Sequence, residues 1–413
     1  MSSVVLGVGG GIAAYKSAEL LRLFTESGHD VRVVPTEASL QFVGAATWEA
    51  LSGHPVATGV FSDVHEVPHV RIGQGADLVV VAPATADLLA RAAHGLADDL
   101  LTSTLLTARC PVVLVPAMHT EMWEHAATRA NVALLRERGV TVVEPDVGRL
   151  TGADSGKGRL PAPEQVFALA SDLLARGPLE PDLRGLRVVV SCGGTREPLD
   201  PVRYLGNRSS GRQGVALAQA AVARGASVHL VAAHVSVPLP AGVDVTRVGT
   251  TRDLLEAMTA ASVGADAVVM AAAPADFRPA ATVATKIKKE PGVAAPVVEL
   301  VENPDVLATL VAERAARRTS EPGTGPVLVG FAAETGDARG SVLEHARRKL
   351  ERKGCDLLVL NDVADGRVFD RPDNEVTILD PEGGATPVPL GSKLDVAHAV
   401  WDQVARRLGH DLP

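Results

Sequence analysis

The sequence predicts an α/β protein with two doubly wound, mainly parallel-sheet domains of the Rossmann-like type. Short apolar runs alternate with helical patterns along all 413 residues, as in buried parallel strands joined by crossover helices. A glycine-rich turn follows the first strand of each half, at residues 9–11 and 192–194. Residues 176–185 contain two prolines and two glycines and mark a linker. We therefore place the domains at residues 1–180 and 181–413.

The apolar runs give the strands of each half. In the first half they are residues 4–8, 31–34, 77–82, 111–115 and 140–143. A helix is expected over residues 12–27 and should end at Gly28. In the second half the strands are residues 187–191, 228–232, 267–273, 327–331 and 356–360. A last run, residues 375–379, has no crossover helix before it and is expected to be an antiparallel edge strand.

The glycine-rich turns predict where function lies. Glycine lets the backbone approach a phosphate closely, and the free N–H groups at a helix start favour an anion. In open parallel sheets, ligands bind at the carboxyl ends of the strands. Two such turns on one chain therefore predict two phosphate-bearing ligands and two active sites.

The composition excludes several classes of protein. A formal net charge of −9 argues against a nucleic-acid-binding surface, and no run approaches the roughly 20 apolar residues that span a bilayer. The three cysteines, Cys110, Cys192 and Cys355, lie far apart in the sequence, so we expect neither a disulfide nor a zinc site. A reducing, cytoplasmic location fits this pattern. Cys110 precedes an apolar run and is expected to be buried.

Four segments of the first half carry a resemblance: residues 10–16 (GGIAAYK), 67–70 (VPHV), 82–87 (APATAD) and 116–123 (PAMHTEMW). In that order they are similar to the flavin-binding cysteine decarboxylases. With the second half included, the chain resembles the bacterial bifunctional coenzyme A biosynthesis proteins. These combine phosphopantothenate–cysteine ligase with phosphopantothenoylcysteine decarboxylase.

The resemblance implies an FMN cofactor in the first domain. Backbone N–H groups of Gly10, Gly11 and Ile12 would hold the FMN phosphate. Hydroxyl donors are expected at Thr36, Ser39 and Thr85. The residues expected to line the flavin are Ala86, Asp87, Ala117 and Met118. Each serine or threonine taken alone could equally be an ordinary helix cap.

The decarboxylase residues follow from the same resemblance. His69 falls on the family's catalytic base, and imidazole exchanges protons near neutral pH. In the family, flavin oxidation of the cysteine thiol gives a thioaldehyde that delocalises the electrons released with CO2. His119 stands where the family has asparagine, and Gly152 stands where a flap cysteine is usual. Asp154 and Arg159 of the flap are expected to contact substrate. We expect His119 to assume part of the missing acid role, with Asp154 or a water as the alternative.

Residues 203–211 (RYLGNRSSG) resemble the family's phosphopantothenate-binding loop. Arg203 and Asn207 would act on the substrate carboxylate or on the acyl-nucleotide. The small residues Ser209, Ser210 and Gly211 suit the substrate's phosphate.

Residues 273–277 (APADF) and the run at 286–289 (KIKK) resemble the nucleotide and catalytic region. We assign Lys286 to neutralising the charge that develops as pyrophosphate leaves; the alternative is a solvated surface loop. Lys349 and Lys353 share one helical face and would reach phosphates; the alternative is a solvent-exposed face. The resemblance implies a set of substrate-binding residues: Ala272, Ala273, Asp276, Lys286, Pro304, Asp305, Val306, Leu307, Phe331, Lys349 and Lys353.

The resemblance also implies the reaction. CTP and Mg2+ would convert 4′-phosphopantothenate to an acyl-cytidylate that the cysteine amine attacks, and decarboxylation would yield 4′-phosphopantetheine. The residues that bind the metal stay open. The family implies a trimeric flavin domain, a dimeric ligase domain and hence a dodecamer. Two alternatives differ in class: a two-domain NAD(P)-dependent oxidoreductase, which lacks its strict Gly-x-Gly-x-x-Gly here, and a ligase whose flavin domain is regulatory or altered in decarboxylation.

Overall fold

A computed structural model describes residues 1–56, 67–150, 154–176, 182–288, 297–320, 325–334, 341–362 and 373–409. The chain divides into two compact units. The first consists of Met1–Gly185 with Val222–Gly225 and Leu239–Val243; the second consists of Leu186–Ala221, Ala226–Pro238 and Asp244–Pro413. The boundary placed at residue 180 lies outside the described residues, so it stays a prediction.

The first unit contains a parallel sheet and a hairpin. Its strands are β1 (Ser3–Val8), β2 (Asp30–Pro35), β3 (Leu78–Ala84), β4 (Val112–Pro116), β5 (Thr141–Val142), β6 (Asp146–Arg149) and β7 (Ser155–Arg159). The sheet has the order β2-β1-β3-β4-β5, and its strands pair in parallel. Strands β6 and β7 form a separate antiparallel hairpin. The doubly wound fold predicted for this half is confirmed.

Helices cover the strands of the first sheet. They are α1 (Ala14–Glu26), α2 (Ala45–Ser52), α3 (Pro68–Gln74), α4 (Ala86–His94), α5 (Leu100–Thr107), α6 (Thr120–Glu124), α7 (Ala126–Glu137) and α8 (Pro163–Arg176), with a short 3-10 helix at Glu37–Gln41. Helix α1 buries Leu20, Leu21 and Phe24 on one face. It ends as predicted, because Gly28 adopts a φ of 82° that glycine tolerates best.

The second unit contains an eight-stranded sheet and two small hairpins. Its strands are β8 (Arg187–Cys192), β9 (Arg196–Pro198), β10 (Tyr204–Gly206), β11 (Ser227–Ala232), β12 (Val243–Arg247), β13 (Ala267–Met270), β14 (Phe277–Pro279), β15 (Leu300–Glu302), β16 (Val327–Glu334), β17 (Leu357–Asp362), β18 (Asp373–Leu379) and β19 (Ala385–Ser392). The sheet order is β12-β11-β8-β13-β16-β17-β18-β19, while β9 pairs with β10 and β14 with β15. Pairing is parallel from β11 to β17.

The helices of the second unit begin at the carboxyl ends of strands or in the loops after them. They are α9 (Arg212–Ala223), α10 (Thr251–Ser262), α11 (Val306–Ser320), α12 (Val342–Lys353) and α13 (Lys393–Arg407). Fully buried valines of β8, Val188 to Val190, show that helices cover both faces of the sheet. No helix in the described ranges is long and apolar enough to cross a membrane.

Two details of the second sheet differ from the sequence prediction. Strand β18 is antiparallel to β17 as expected, but it is not the edge, because β19 pairs along its other side. Pro387 and Pro389 hid β19 from the sequence pattern, although proline is tolerated at a sheet edge. Strand β13 stops at Met270 rather than residue 273, because the N–H of Ala273 turns to the carbonyl of Gly193.

We predict that the few residues before β8 stabilise the ligase half when it is made alone. Asp182 binds Arg224, whose side chain is almost fully buried, and the N–H of Leu183 donates to the Arg224 carbonyl. A chain that begins at Arg187 leaves this cation without its carboxylate, so it should be less stable by about 3 kcal/mol than a chain that begins at Asp182.

Urea unfolding of the two shortened chains measures this difference. As a control, Asp182→Asn in the longer chain should lose much of the same free energy. Equal unfolding midpoints for the two chains would contradict the prediction.

Candidate active sites

Loops from three neighbouring strands of the first unit meet at glycine residues. After β1, the N–H of Gly9 donates to the carbonyl of Pro83 in β3 at 3.0 Å. A Cβ at Gly9 would lie 2.4 Å from that oxygen, and a Cβ at Gly10 would lie 2.5 Å from the Cβ of Ala38 in the loop after β2. Both positions therefore require glycine, and the close approach joins the three loops.

The turn between β1 and α1 presents backbone donors to open space. Within the described residues, no acceptor is recorded for the N–H groups of Gly10, Gly11 and Ile12. A Cβ at Gly11 would meet nothing within 4 Å, and the Ile12 side chain is exposed. This arrangement fits the phosphate of a flavin nucleotide, because a dianion would satisfy the N–H groups at the helix start.

The three predicted hydroxyl residues make local hydrogen bonds in this structure, and Thr36 and Thr85 act as helix caps. Thr36 accepts from the N–H of Ser39 at 3.3 Å, and Ser39 donates to the Thr36 carbonyl at 2.7 Å. Thr85 caps α4 by accepting from the N–H of Leu88 at 3.2 Å. The capping alternative thus describes their present bonds, yet they lie in the loops that contact Gly9 and Gly10.

The remaining predicted flavin residues follow β3 and β4. Ala86 and Asp87 begin α4, and Asp87 binds Arg91 one turn later at 3.0 Å. Ala117 donates its N–H to the Ala84 carbonyl at 3.2 Å. Met118 comes next and donates to the flap hairpin. All of the predicted flavin residues therefore lie after the carboxyl ends of four adjacent strands.

His69 lies in the first turn of α3, and the residue that precedes this helix has a strained backbone. Val67, two residues earlier, has a φ of 45°, a left-handed conformation that β-branched residues rarely adopt. Thr107 of α5 donates to the His69 carbonyl at 2.7 Å and holds the turn in place. The Nδ1 atom of His69 is buried and has no hydrogen-bond partner among the described residues. Buried polar atoms without a partner are rare in folded proteins, so this nitrogen marks His69 as a candidate functional residue.

The hairpin β6–β7 corresponds to the predicted flap and rests on the loop after β4. The N–H of Met118 donates to the carbonyl of Gly158 at 3.0 Å. A Cβ at Gly156 would lie 2.2 Å from the hydroxyl of Thr120. Across this junction, Nδ1 of His119 lies 3.8 Å from Oδ2 of Asp154. Gly152 lies outside the described residues.

Arg159 ends the flap beside two other charged groups. Burial raises the pKa of Asp146 even though Arg159 and Lys16 oppose the shift. Burial and the nearby Arg159 both lower the pKa of Lys16, which donates to the Leu160 carbonyl at 3.2 Å. The base of the flap is thus a partly buried group of charges rather than a solvated edge.

In the second unit, the loops after β8, β11 and β13 are joined through Gly194. It forms bridges to His234 and to Ala273. The amide of Asn207 donates to the carbonyl of Pro274 at 2.8 Å, which ties the predicted substrate loop to the predicted nucleotide loop. A Cβ at Gly214 would lie 2.3 Å from the Cβ of Cys192, so α9 begins in direct contact with β8.

These loops enclose a cleft of about 1270 Å³ at the carboxyl ends of the strands. The structure brings to it Asn207 and nearly all of the predicted substrate residues: Ser209, Ser210, Gly211, Ala272, Ala273, Asp276, Pro304, Asp305, Val306, Leu307, Phe331, Lys349 and Lys353. One cavity of this size holds the start of α9, two lysines and an aromatic ring together.

The two lysines of α12 face the cleft and pair with carboxylates. Lys349 binds Glu334 at 2.8 Å, and Lys353 binds Asp305. Burial alone would raise the pKa of Asp305, but the hydrogen bond from Lys353 holds it below its usual value. The shared face predicted for Lys349 and Lys353 is confirmed, and it is not a solvent-exposed face.

Arg203 and Lys286 are not among the described residues that line this cleft. Arg203 binds Asp200 and the carbonyl of Ile287. Lys286, next to Ile287, is exposed. The structure therefore places these two predicted residues near one another, outside the cleft of the same chain.

Comparison with known proteins agrees with this geometry. Residues 1–174 match the family described as Flavoprotein, and residues 183–408 match the DNA/pantothenate metabolism flavoprotein C-terminal domain. The coenzyme A biosynthesis bifunctional protein CoaBC of Mycolicibacterium smegmatis is 57% identical over 405 residues, 97% of each chain. That of Bacillus subtilis is 40% identical over 408 residues, covering 98% of this chain and 96% of the relative.

The chain belongs to the CoaBC family.

This membership confirms the predicted pairing of phosphopantothenoylcysteine decarboxylase with phosphopantothenate–cysteine ligase in coenzyme A biosynthesis, on an N-terminal flavoprotein domain and a C-terminal domain. The alternative of an NAD(P)-dependent oxidoreductase is wrong. Among solved structures, a C-terminal domain of a CoaBC protein is 32% identical, with a TM-score of 0.45, and covers 56% of this chain and 100% of its own.

Sequence reasoning missed several residues that line the CoaBC cleft. Asn361 is the penultimate residue of β17, so the rule that ligands sit at the carboxyl ends of strands could have found it. Asn374 donates to Asn361 at 2.9 Å, and Lys393 reaches the cleft from the start of α13. These two gave no signal, because only the antiparallel pairing of β18 with β17 brings their segment to the site.

The three cysteines are free thiols that are buried or half-buried. Burial raises the pKa of Cys192 to about 12 and that of Cys355 to about 11. The sequence predicts that Cys110 is buried, but it is only half-buried, because it precedes β4 at the end of the sheet. Partial burial still raises the pKa of Cys110 to about 11. Within the described ranges, no cluster of three or more histidine, cysteine or acidic residues could hold a metal ion.

We predict that Gly156 lets the flap close in the decarboxylase. Gly156→Ala places a methyl group against Thr120 and should lower CO2 release from phosphopantothenoylcysteine by about tenfold, because the flap can no longer rest on the His119 loop. Gly44→Ala, just before α2, is the control, since its Cβ would meet nothing within 4 Å. Equal initial rates for the two variants would contradict this role.

Proposed function

We propose that this chain joins 4′-phosphopantothenate to cysteine through an acyl-cytidylate made from CTP, and then decarboxylates the product with FMN to give 4′-phosphopantetheine. The observation that carries the ligase half is the cleft in which the start of α9 faces Lys349 and Lys353. Two phosphorylated substrates need two sets of donors, and this cleft contains both.

In the ligase step, the carboxylate oxygen of phosphopantothenate attacks the α-phosphorus of CTP, and pyrophosphate leaves. The N–H groups around Ser209, Ser210 and Gly211 would hold the phosphate of phosphopantothenate. Asn207, fixed by its bond to Pro274, would orient the carboxylate or the acyl-nucleotide. The cysteine amine then attacks the acyl carbon and releases CMP.

The nucleotide would occupy the other side of the cleft. Phe331 and residues 304–307 would contact the base and ribose. Lys349 and Lys353 would exchange Glu334 and Asp305 for phosphate oxygens. Mg2+ would offset part of the charge of the triphosphate. Lys286 would neutralise charge as pyrophosphate leaves, and Arg203 would act on the substrate carboxylate or on the acyl-nucleotide. Because both lie outside the cleft of their own chain, a dimer of the ligase domain would allow them to serve the partner's cleft.

In the decarboxylase, FMN would accept electrons from the cysteine thiol and would later return them to the product. The turn at Gly10, Gly11 and Ile12 would bind its phosphate. His69, whose Nδ1 is buried without a partner in the described residues, would accept the substrate proton. The residues after β3 and β4 would line the ring, and Asp154 and Arg159 would cover the substrate.

The assembly and location belong to the same proposal. We propose a trimeric flavin domain and a dimeric ligase domain, and hence a dodecamer. The buried apolar cores leave exposed Val202, Tyr204 and Leu205 around the β9–β10 hairpin, which supports burial of that hairpin in a dimer. Three free cysteines support a cytoplasmic location.

A coupled assay with two variants tests both halves. Supplied with phosphopantothenate, cysteine, CTP and Mg2+, the parent chain should release pyrophosphate and CO2 and form 4′-phosphopantetheine. His69→Asn should stay yellow and still release pyrophosphate, but lose CO2 release by at least about 100-fold, since it lacks the base. Lys286→Gln should lose pyrophosphate release. It should still release CO2 when phosphopantothenoylcysteine is supplied.

The two variants serve as controls for each other, because each should keep the activity that its partner loses. A colourless His69→Asn protein would mean that His69 is structural. Unchanged ligation by Lys286→Gln would refute its assignment. A parent chain that ligates without releasing CO2 would favour the regulatory flavin domain.

We further predict that His119 takes over part of the acid role of the missing flap cysteine, with Asp154 or a water as the alternative. The carbon of the ene-thiolate must be protonated as the electrons return, and an imidazole facing Asp154 can deliver that proton. His119→Asn restores the residue usual in the family, yet should slow formation of 4′-phosphopantetheine by about 100-fold and leave oxidised product.

Adding Gly152→Cys to that variant should restore turnover if the two departures compensate one another. Turnover of His119→Asn at the parent rate would show that His119 only positions the substrate's carboxylate. Quantifying oxidised and reduced products separates these outcomes.

A further inference from the structure

Asp200 is a buried carboxylate that accepts five hydrogen bonds in the loop between β9 and β10. Its Oδ1 accepts from the N–H groups of Val202 and Arg203, each at 2.8 Å. Its Oδ2 accepts from Nε of Arg203 at 3.0 Å and from Nη2 at 2.6 Å. The fifth donor comes from far along the chain: the N–H of Ile287, at 3.1 Å.

Asp200 and Arg203 hold both backbone polar groups of Ile287. While Oδ2 of Asp200 accepts from the Ile287 N–H, Nη2 of Arg203 donates to the Ile287 carbonyl at 2.7 Å. The three groups therefore form a closed ring. Ile287 lies directly between Lys286 and Lys288, whose side chains are exposed.

The ring ends a line of bonds between the same two segments. Thr282 donates to the Pro198 carbonyl at 3.3 Å, and the N–H of Val283 donates to the Leu199 carbonyl at 3.0 Å. These bonds fix the beginning of the 282–288 segment. Among the described residues of this segment, Ile287 is the anchored residue nearest Lys286. Asp200 and Arg203 hold it in place.

The chemistry of the ring requires a carboxylate. All five partners are N–H donors, and an ionised carboxylate has only acceptors, whereas an amide would turn one NH2 towards a donor. The hydrogen bonds from Arg203 hold the pKa of Asp200 well below its usual range, so the ring keeps its charge at neutral pH.

We infer that Asp200 is a positioning residue of the ligase: it holds Arg203 and the Ile287 peptide as one unit, so that Arg203 and Lys286 are presented together. This inference rests on the proposed roles of Arg203 and Lys286. In this role, Asp200 itself touches no reacting atom. Neither residue would need to find its place separately when the acyl-cytidylate forms, which is what preorganisation requires.

The test uses the full chain with Asp200→Asn. Pyrophosphate release should fall in kcat by about 100-fold, while KM for CTP should stay within about threefold, because the residues of the cleft are untouched. Hydrogen–deuterium exchange of the peptide covering residues 282–288 should become about tenfold faster at Ile287. Asp200→Glu keeps the charge and should restore part of both.

Asp356→Asn is the matched control. Asp356 is also a carboxylate bound to an arginine, Arg314, and to a backbone N–H, that of Leu328 at 2.7 Å, but it lies at the start of β17, away from the carboxyl ends. It should not change exchange in residues 282–288. Unchanged exchange in Asp200→Asn would overturn the ring, and faster exchange with unchanged kcat would overturn the positioning role. An inactive parent chain would count against the proposed function alone, because the exchange would still report whether Asp200 holds Ile287.

Discussion

Burial of the parallel strands on both faces is the constraint on which both sites depend. Strand β3 is apolar and buried along its whole length, and Val188 to Val190 of β8 are fully buried as well. Since neither face of the sheet is free, polar chemistry is confined to the loops at the strand ends. In each unit the carboxyl ends of adjacent strands meet at one edge, and residues distant in sequence become neighbours there. The same rule places the glycine-rich turn between β1 and α1 at this edge of the first unit, and the cleft at this edge of the second.

Glycine makes that edge compact enough to bind ligands. At Gly9, Gly10 and Gly193, a Cβ would overlap backbone or a small side chain of a neighbouring loop, and at Gly214 it would overlap Cys192 of β8. Close approach of backbone to backbone leaves N–H groups such as those of Gly10 to Ile12 directed outward rather than screened by side chains. The flap repeats this device, because Gly156 and Gly158 let it lie directly on the loop that carries His119.

The two units meet an anionic ligand with different electrostatics. The first offers backbone N–H dipoles and uncharged hydroxyls around the turn between β1 and α1, where the proposed FMN phosphate would bind. The second offers Lys349 and Lys353, each already neutralised by a carboxylate. In the proposed ligase, a triphosphate would displace those carboxylates, so that binding would exchange ion pairs rather than add unpaired charge.

The sequence by itself determined the fold class, the succession of strands and most of the cleft. Apolar runs at β1, β3, β8 and β13 are explained only by buried strands, and the residues after β8 and β13 line much of the cleft, because strand ends follow directly from strand positions. It did not reveal β19, whose prolines break the pattern, nor Lys393, which depends on antiparallel pairing across a long separation.

Only the tertiary structure decided the partners of the charged groups. The sequence shows Asp200 three residues before Arg203, but not that Ile287, more than eighty positions away, completes the ring. It shows two lysines on one helical face, but not that Glu334 and Asp305 neutralise them. It likewise shows His119, but not the distance to Asp154 across the flap. Periodicity encodes which face of an element is buried, whereas a hydrogen bond depends on which loops the packed core brings within 3 Å of each other.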